Sequence, residues 1–183
     1  MNRSPAEQEN PKAKEYWDFL ELAISKIYQR EHLNLSYMEL YNKAYNLVLY
    51  NFGDYGYRKL KGYMTDRYLE ESKKIHAEKD AAIFLAAFQK IWTEAADFLE
   101  SLSNIFTYLQ EKFIPKYQLS TVKGLGYQVY KEVFILNNDF FDAFQRNILD
   151  TIKNDRHGNM IDKTLLRNVI ATLVTYHPNI ISR

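Results

Sequence analysis

From Tyr16 onward, apolar residues recur every three or four positions, and this spacing constrains the fold more than any other feature of the sequence. Such a step places side chains on one face of an α-helix, whereas a half-buried strand needs strict alternation. No segment alternates for long enough to predict a strand. The sequence therefore predicts an all-α protein, a bundle or repeat of seven or eight helices joined by short loops.

The predicted helices cover about residues 12–30, 36–52, 55–74, 84–113, 120–136, 138–154 and 162–176. The fourth is long for a globular helix, so we expect a bend or break near Glu100–Asn104. Local signals also mark several helix ends. They are a capping box of Ser36 and Glu39 with Leu35 as its hydrophobic staple, a left-handed stop at Gly53, a stop at His157-Gly158-Asn159 and a cap at Asp162.

Composition excludes several classes of function. The 183 residues include 24 basic and 23 acidic side chains, and a net charge of +1 would not attract nucleic acid or an anionic membrane over distance. The absence of cysteine excludes disulfides and thiol chemistry and fits a reducing compartment. The longest apolar run, Ala81–Phe88, is far shorter than the roughly 20 residues of a membrane span. We expect a protein of the cytoplasm, the nucleus or both, with residues 1–14 as a flexible polar tail.

Motifs for catalysis or cofactor binding are not found. The histidines His32, His76, His157 and His177 stand singly and favour solvated loop positions over metal ligation. Gly124-Leu125-Gly126 lacks the third glycine and the preceding strand of a nucleotide loop and favours close helix packing. Basic and acidic side chains are interleaved over Arg58–Lys79, which predicts a charge-paired, solvated helix face. We therefore predict no catalytic residue, no metal and no cofactor.

The second predicted helix is unusually apolar around its circumference. At 100° per residue, its apolar positions cover an arc of roughly 200°, about twice the stripe of a surface helix that faces one core. One half of the arc, with Leu40, Ala44 and Leu47, is expected to face the domain core. The other half needs a second partner and comprises Tyr37, Met38, Tyr41 and Tyr45.

Two interpretations of this tyrosine-rich edge stay open at this point. In one, the helix is central and its own domain covers both sides. In the other, the edge binds a protein, since tyrosine and methionine bury a large area at modest entropic cost and tyrosine keeps a hydroxyl for a hydrogen bond at the rim.

Three segments resemble the cullins. Leu35–Asp54, LSYMELYNKAYNLVLYNFGD, is similar to the second helix of the cullin type that recruits BTB-domain adaptors, where a pattern like LSFEELYRNAYxMVLHKxGE recurs. Tyr16–Gln29, YWDFLELAISKIYQ, resembles the preceding helix of that type. Asp155–Val169, DRHGNMIDKTLLRNV, resembles an ERxGExIDRxLLRN-like stretch. The match touches both ends of the chain and identifies it as a member of the cullins, at the N-terminal cullin-repeat domain.

The resemblance implies a fold and a role. Residues 15–115 would form the first five-helix cullin repeat, and residues 116–183 would begin a second. The chain would be a non-enzymatic scaffold segment of a multisubunit cullin-RING ubiquitin ligase that holds a substrate adaptor of BTB/POZ-like fold. Such adaptors are often dimers and could pair two such chains. A RING protein and a ubiquitin-like modifier would act only through a C-terminal region outside these 183 residues.

The resemblance also implies which residues bind the adaptor. The predicted set lies on the second helix and on the later 101–113 helix, and comprises Leu35, Ser36, Tyr37, Met38, Tyr41, Asn42, Tyr45, Tyr108 and Glu111. After the later tyrosine the family has an Asp-Arg dipeptide, where this chain has Gln110-Glu111, so a basic contact becomes acidic.

Two alternatives to the ligase scaffold stay open from sequence alone. One is a free-standing helical interaction module, such as a fragment of a repeat solenoid. The other is an α-helical hydrolase or lipid-binding protein that uses its aromatic interior as a pocket.

Overall fold

The fold is entirely helical over the residues that the computed structural model describes, which are 10–31 and 36–176, the last two by backbone only. These residues contain no strand, and the predicted all-α class is confirmed. Their α-helices are α1 Pro11–Tyr28, α2 Tyr37–Leu49, α3 Gly53–His76, α4 Ala81–Ile105, α5 Ile114–Tyr117, α6 Val122–Tyr130, α7 Asn138–Arg156 and α8 Lys163–Tyr176. Among the described residues, no helix combines the length and apolar character needed to cross a bilayer.

Two compact units make up the chain. The first comprises Met1–Tyr63 with Phe98–Leu125, and the second Met64–Asp97 with Gly126–Arg183. This division groups residues by contact, whereas the predicted boundaries 15–115 and 116–183 follow repeats, so those boundaries stay a prediction.

The core of the first unit forms around the buried faces of α1 and α2. Trp17, Leu20 and Ile24 lie on the buried face of α1, where the Trp17 indole also donates to the Glu21 carboxylate at 3.1 Å. The apolar positions predicted to face the core of α2 are buried as expected, namely Leu40, Ala44 and Leu47. The predicted helical periodicity therefore identified the core face of α2.

An aromatic cluster forms the core of the second unit. Phe88 packs against Phe144 with ring centroids 4.7 Å apart, and Phe134 against Tyr130 at 4.6 Å. Phe140 meets Phe134 edge to face at 5.1 Å. Such tilted and edge-to-face pairs add stability beyond the apolar area that they bury.

The start of α1 differs from the predicted tail. The Asn10 side chain accepts a hydrogen bond from the Lys12 amide at 3.0 Å, and Pro11 occupies the first helical turn, where its missing N–H is no loss. Residues 11–14 therefore belong to α1, while residues 1–9 of the predicted tail lie outside the described residues.

The end of α2 corrects one predicted stop. Asn51, with φ of 63°, takes the left-handed conformation expected of Gly53. The Phe52 amide bonds the Leu47 carbonyl at 2.6 Å and the Asn51 amide bonds the Val48 carbonyl at 3.1 Å, which is the hydrogen-bond pattern of a Schellman motif. Asparagine tolerates this conformation better than most residues, so the left-handed residue comes two positions before the glycine and α2 ends at Leu49.

A Schellman motif also ends three other helices. Arg30 after α1, Gln118 after α5 and Gly158 after α7 have φ of 61°, 52° and 83°. The predicted stop at His157-Gly158-Asn159 is therefore confirmed. The Asp162 carboxylate accepts from the Leu165 amide at 2.8 Å, which confirms the predicted cap of α8.

Two glycines are expected to respond to alanine in opposite ways. Gly158→Ala lowers the free energy of unfolding by about 1 kcal/mol, because its positive φ brings Cβ too close to the following carbonyl. Gly62→Ala raises it by up to about 1 kcal/mol, because Gly62 lies inside α3 with open space around a new Cβ. Urea denaturation followed by circular dichroism measures both changes, and a loss of stability in Gly62→Ala would contradict the helix geometry.

Candidate docking surface

The first turn of α2 presents large apolar side chains to solvent. The Ser36 hydroxyl accepts from the Glu39 amide at 3.3 Å, which confirms this half of the predicted capping box. Directly after this cap, Tyr37 is 54% exposed and Met38 is 64% exposed. Leu35, predicted both as the staple and as a partner contact, lies outside the described residues.

The remaining tyrosines of α2 lie against each other and against Tyr108. The Tyr41 and Tyr45 rings stack with centroids 6.4 Å apart, and Tyr45 packs on Tyr108 at 4.4 Å with an interplanar angle of 46°. All three are half-buried, whereas Asn42 is exposed. The tyrosine-rich edge is therefore exposed at its N-terminal end and partly covered, within the first unit, by Tyr108.

The Tyr37 ring is fixed although it is exposed. Its hydroxyl donates to the Asn104 carbonyl at 2.8 Å, and this carbonyl also accepts from the Thr107 hydroxyl at 2.7 Å. Asn104 belongs to the last turn of α4, whose carbonyls have no partner within the helix. The hydrogen bond holds an exposed aromatic ring in one place before any partner arrives.

The region that carries Tyr108 and Glu111 is more irregular than predicted. A bend or break was expected near Glu100–Asn104, and α4 does end next to this segment, at Ile105. The π-helical turn that follows, Leu109–Phe113, was not predicted. Pro115 gives the physical reason, because its ring lacks an N–H and would clash with the carbonyl four residues earlier, which is that of Glu111. A wider turn moves this carbonyl away. Tyr108 directly precedes the turn, and Glu111 lies in it, exposed.

Gly53 contributes to the placement of this turn. A Cβ atom at Gly53 would lie 2.5 Å from the Phe113 ring, so the first residue of α3 and the end of the π-helical turn can approach only because the glycine has no side chain. Nearby, the Tyr57 hydroxyl donates to the Ser120 carbonyl at 3.0 Å. Burial raises the pKa of Tyr57 above its usual value.

Other predicted features play no part in this surface. Among the residues that the structure describes, no three histidine or acidic side chains gather as a metal site, and His32 and His177 lie outside them. The charged face of α3 carries ion pairs, as expected. Arg58 pairs with Asp54 at 2.8 Å, and Lys74 pairs with Glu71 at 2.8 Å. Gly124 and Gly126 lie in helix α6.

The sequence reasoning missed two residues that build the surface, Asn104 and Gln110. Asn104 contributes a backbone carbonyl, and no side-chain pattern indicates that. Gln110 was noted only as a departure from a family dipeptide, although a proline five residues later already marks a disturbed helix.

Comparison with known proteins defines the class to which this helical surface belongs. Residues 17–180 match the cullin alpha solenoid domain. The chain therefore belongs to the cullin family, as the sequence resemblance indicated.

The chain is also similar to individual cullins. Cullin-3A of Arabidopsis thaliana is 33% identical over 154 residues, which are 84% of this chain and 21% of the relative. Cullin-3 of Dictyostelium discoideum is 28% identical over 161 residues, 88% of this chain and 21% of the relative. Cullin-1 of Oryza sativa subsp. japonica is 22% identical over 173 residues, 86% of this chain and 22% of the relative. The chain thus spans about a fifth of the length of these relatives.

The contact between Tyr45 and Tyr108 is expected to stabilise the first unit. Tyr45→Ala and Tyr108→Ala each lower the free energy of unfolding, and the double variant loses less than the sum by about 0.5–1.5 kcal/mol, because either change alone removes the ring contact. Urea denaturation of the four proteins measures this coupling. Tyr45→Ala paired with Tyr127→Ala, in the second unit, serves as the control and should be additive. Additivity of the Tyr45 and Tyr108 changes would contradict the contact.

Proposed function

We propose that this chain is the adaptor-docking segment of a cullin-RING ubiquitin ligase scaffold. The observation that carries the proposal is the pair of exposed residues Tyr37 and Met38 on the first turn of α2, in a chain of the cullin family. Domains leave single apolar residues exposed as a matter of course, but an exposed aromatic side chain next to an exposed methionine favours a protein interface.

The adaptor that we propose has a BTB/POZ-like fold. The likeness of Leu35–Asp54 to the second helix of the cullin type that recruits such adaptors supports this choice, and the relatives named Cullin-3 agree with the family assignment. The proposed contacts on the described residues are those predicted from the sequence, Ser36, Tyr37, Met38, Tyr41, Asn42, Tyr45, Tyr108 and Glu111. No observation favours the free-standing interaction module or the lipid-binding protein.

The structure divides these contacts into two kinds. Tyr37 and Met38 offer area that a partner can remove from water, whereas Tyr45 and Tyr108 already bury part of their rings against each other. Binding energy at such a surface concentrates in a few central residues. We therefore assign the direct contacts chiefly to the first turn of α2 and assign Tyr45 and Tyr108 a supporting role as well.

The proposed role is that of a non-enzymatic scaffold. A scaffold holds the substrate, through its adaptor, near a charged conjugating enzyme, and the gain comes from effective concentration rather than from chemistry at the docking surface. A RING protein and a ubiquitin-like modifier would bind elsewhere in the full-length protein. The cytoplasm, the nucleus or both stay the proposed location.

Truncation of two proposed contacts, the exposed Met38 and the half-buried Tyr41, tests the site. Met38→Ala and Tyr41→Ala are each expected to weaken adaptor binding by about 2 kcal/mol, or roughly thirtyfold in Kd, because each removes apolar area from the centre of the proposed interface. Calorimetric titration with a recombinant BTB-fold adaptor from the same organism measures the effect.

The matched control for this experiment is Leu149→Ala. Leu149 is an exposed apolar side chain like Met38, with 55% of its surface exposed against 64%, but it lies on α7 in the second unit. Its truncation should leave the affinity unchanged. Wild-type affinity in folded Met38→Ala and Tyr41→Ala would count against the docking surface.

Glu111 tests the electrostatics of the same surface. Glu111 is exposed on the π-helical turn, and a basic patch on the adaptor would attract it. Glu111→Arg is then expected to slow association about tenfold at low salt, with the difference shrinking as salt screens the charges. Stopped-flow measurements between low and physiological ionic strength report this dependence.

The control for Glu111 is the acidic residue of the other π-helical turn, Lys131–Ile135. Glu132→Arg makes the same charge change in the second unit and should leave the association rate unaltered. An effect of Glu111→Arg that does not depend on salt would place Glu111 outside the interface.

A further inference from the structure

Gln110 bonds two other segments of the first unit beside the candidate docking surface. Its amide nitrogen donates to the Ser103 carbonyl at 2.9 Å and contacts the Ser103 hydroxyl at 3.0 Å. Its amide oxygen accepts from the Val122 amide at 3.3 Å. One half-buried side chain in the π-helical turn thus bonds both the last turn of α4 and the first residue of α6.

These bonds satisfy backbone groups that helix geometry leaves without partners. Ser103 is in the last turn of α4, where carbonyls lack an intrahelical donor, and Val122 is at the start of α6, where amides lack an intrahelical acceptor. The neighbouring carbonyl, that of Asn104, is the one that holds the Tyr37 hydroxyl. The end of α4 therefore bonds α2 through the Asn104 carbonyl and the π-helical turn through the Ser103 carbonyl.

The consequence reaches Tyr108, which is two residues before Gln110 and packs on Tyr45 at 4.4 Å. A π-helical turn is rare and occurs mostly as a single turn within a longer helix, so the contacts that hold it in place are informative. Pro115 prevents the regular alternative, but it does not select the direction in which Tyr108 and Glu111 point. The bonds of Gln110 to α4 and α6 set the direction in which these two side chains point.

We propose that Gln110 is a positioning residue of the docking surface. It holds the π-helical turn so that Tyr108 supports Tyr45 on α2 and Glu111 faces solvent. Gln110 acts through Tyr108 and needs no contact with the partner. The part of this proposal that concerns binding rests on the proposed function.

The test uses Gln110→Met, which keeps the length of the side chain and removes its hydrogen bonds. Fluorotyrosine labelling with ¹⁹F NMR reports the environment of each ring directly. The signals of Tyr108 and Tyr45 should shift, while that of Tyr130 in the second unit should stay in place. Affinity for a recombinant BTB-fold adaptor should fall about fivefold to tenfold, in line with the loss of one or two partly buried hydrogen bonds.

A matched control separates positioning from general stability. Asn137 caps α7 by accepting from the Phe140 amide at 3.2 Å, so Asn137→Ala removes one side-chain bond at a helix end in the second unit. It should lower stability without moving the Tyr108 or Tyr45 signals. If Gln110→Met fails to fold, Ser103→Ala removes only the hydroxyl partner and should give a smaller shift of the same two signals.

The outcomes distinguish the two proposals. Unchanged Tyr108 and Tyr45 signals in folded Gln110→Met, with stability lowered as in Asn137→Ala, would overturn the positioning role. Shifted signals in a protein whose wild type binds no adaptor would support positioning and contradict the proposed function. Shifted signals together with weakened binding would support both.

Discussion

The carbonyl groups at the end of α4 hold together the surface that we propose for docking. A helix leaves its last carbonyls without intrahelical partners, and in this chain side chains from α2 and from the π-helical turn supply the donors. The Tyr37 hydroxyl donates to the Asn104 carbonyl, and the Gln110 amide nitrogen donates to the Ser103 carbonyl. The Thr107 hydroxyl also donates to both carbonyls, so the bonds from Tyr37 and Gln110 add to this helix end and tie α2 and the π-helical turn to it.

The spacing of apolar residues predicted where most of the helices lie and which face of α2 is buried. Leu40, Ala44 and Leu47 were predicted to be buried from their spacing alone, since apolar burial follows the 3.6-residue period. The same reasoning identified Tyr37, Met38, Tyr41 and Tyr45 as surplus apolar residues. Tyr37 and Met38 are exposed, whereas Tyr41 and Tyr45 are half-buried. Their binding role stays a proposal because exposure shows availability and does not name a partner.

The errors have local physical causes. Periodicity does not distinguish an α-helical from a π-helical turn, so the turn Leu109–Phe113 before Pro115 was predicted as ordinary α-helix. Gly53 was predicted to stop α2 because glycine takes the left-handed conformation easily, but Asn51 comes first and takes it. Gly53 is needed instead for its closeness to Phe113, a contact between distant parts of the sequence that no local pattern reveals.

The chain reversals after α1, α2 and α5 have a consequence for engineering. Arg30, Asn51 and Gln118 each hold a side chain in a backbone conformation that suits glycine, so strain is retained at three exposed sites. None of the three belongs to the proposed contact set. Replacing Gln118 with glycine is therefore a route to a more heat-resistant protein in which the proposed contact residues are unchanged.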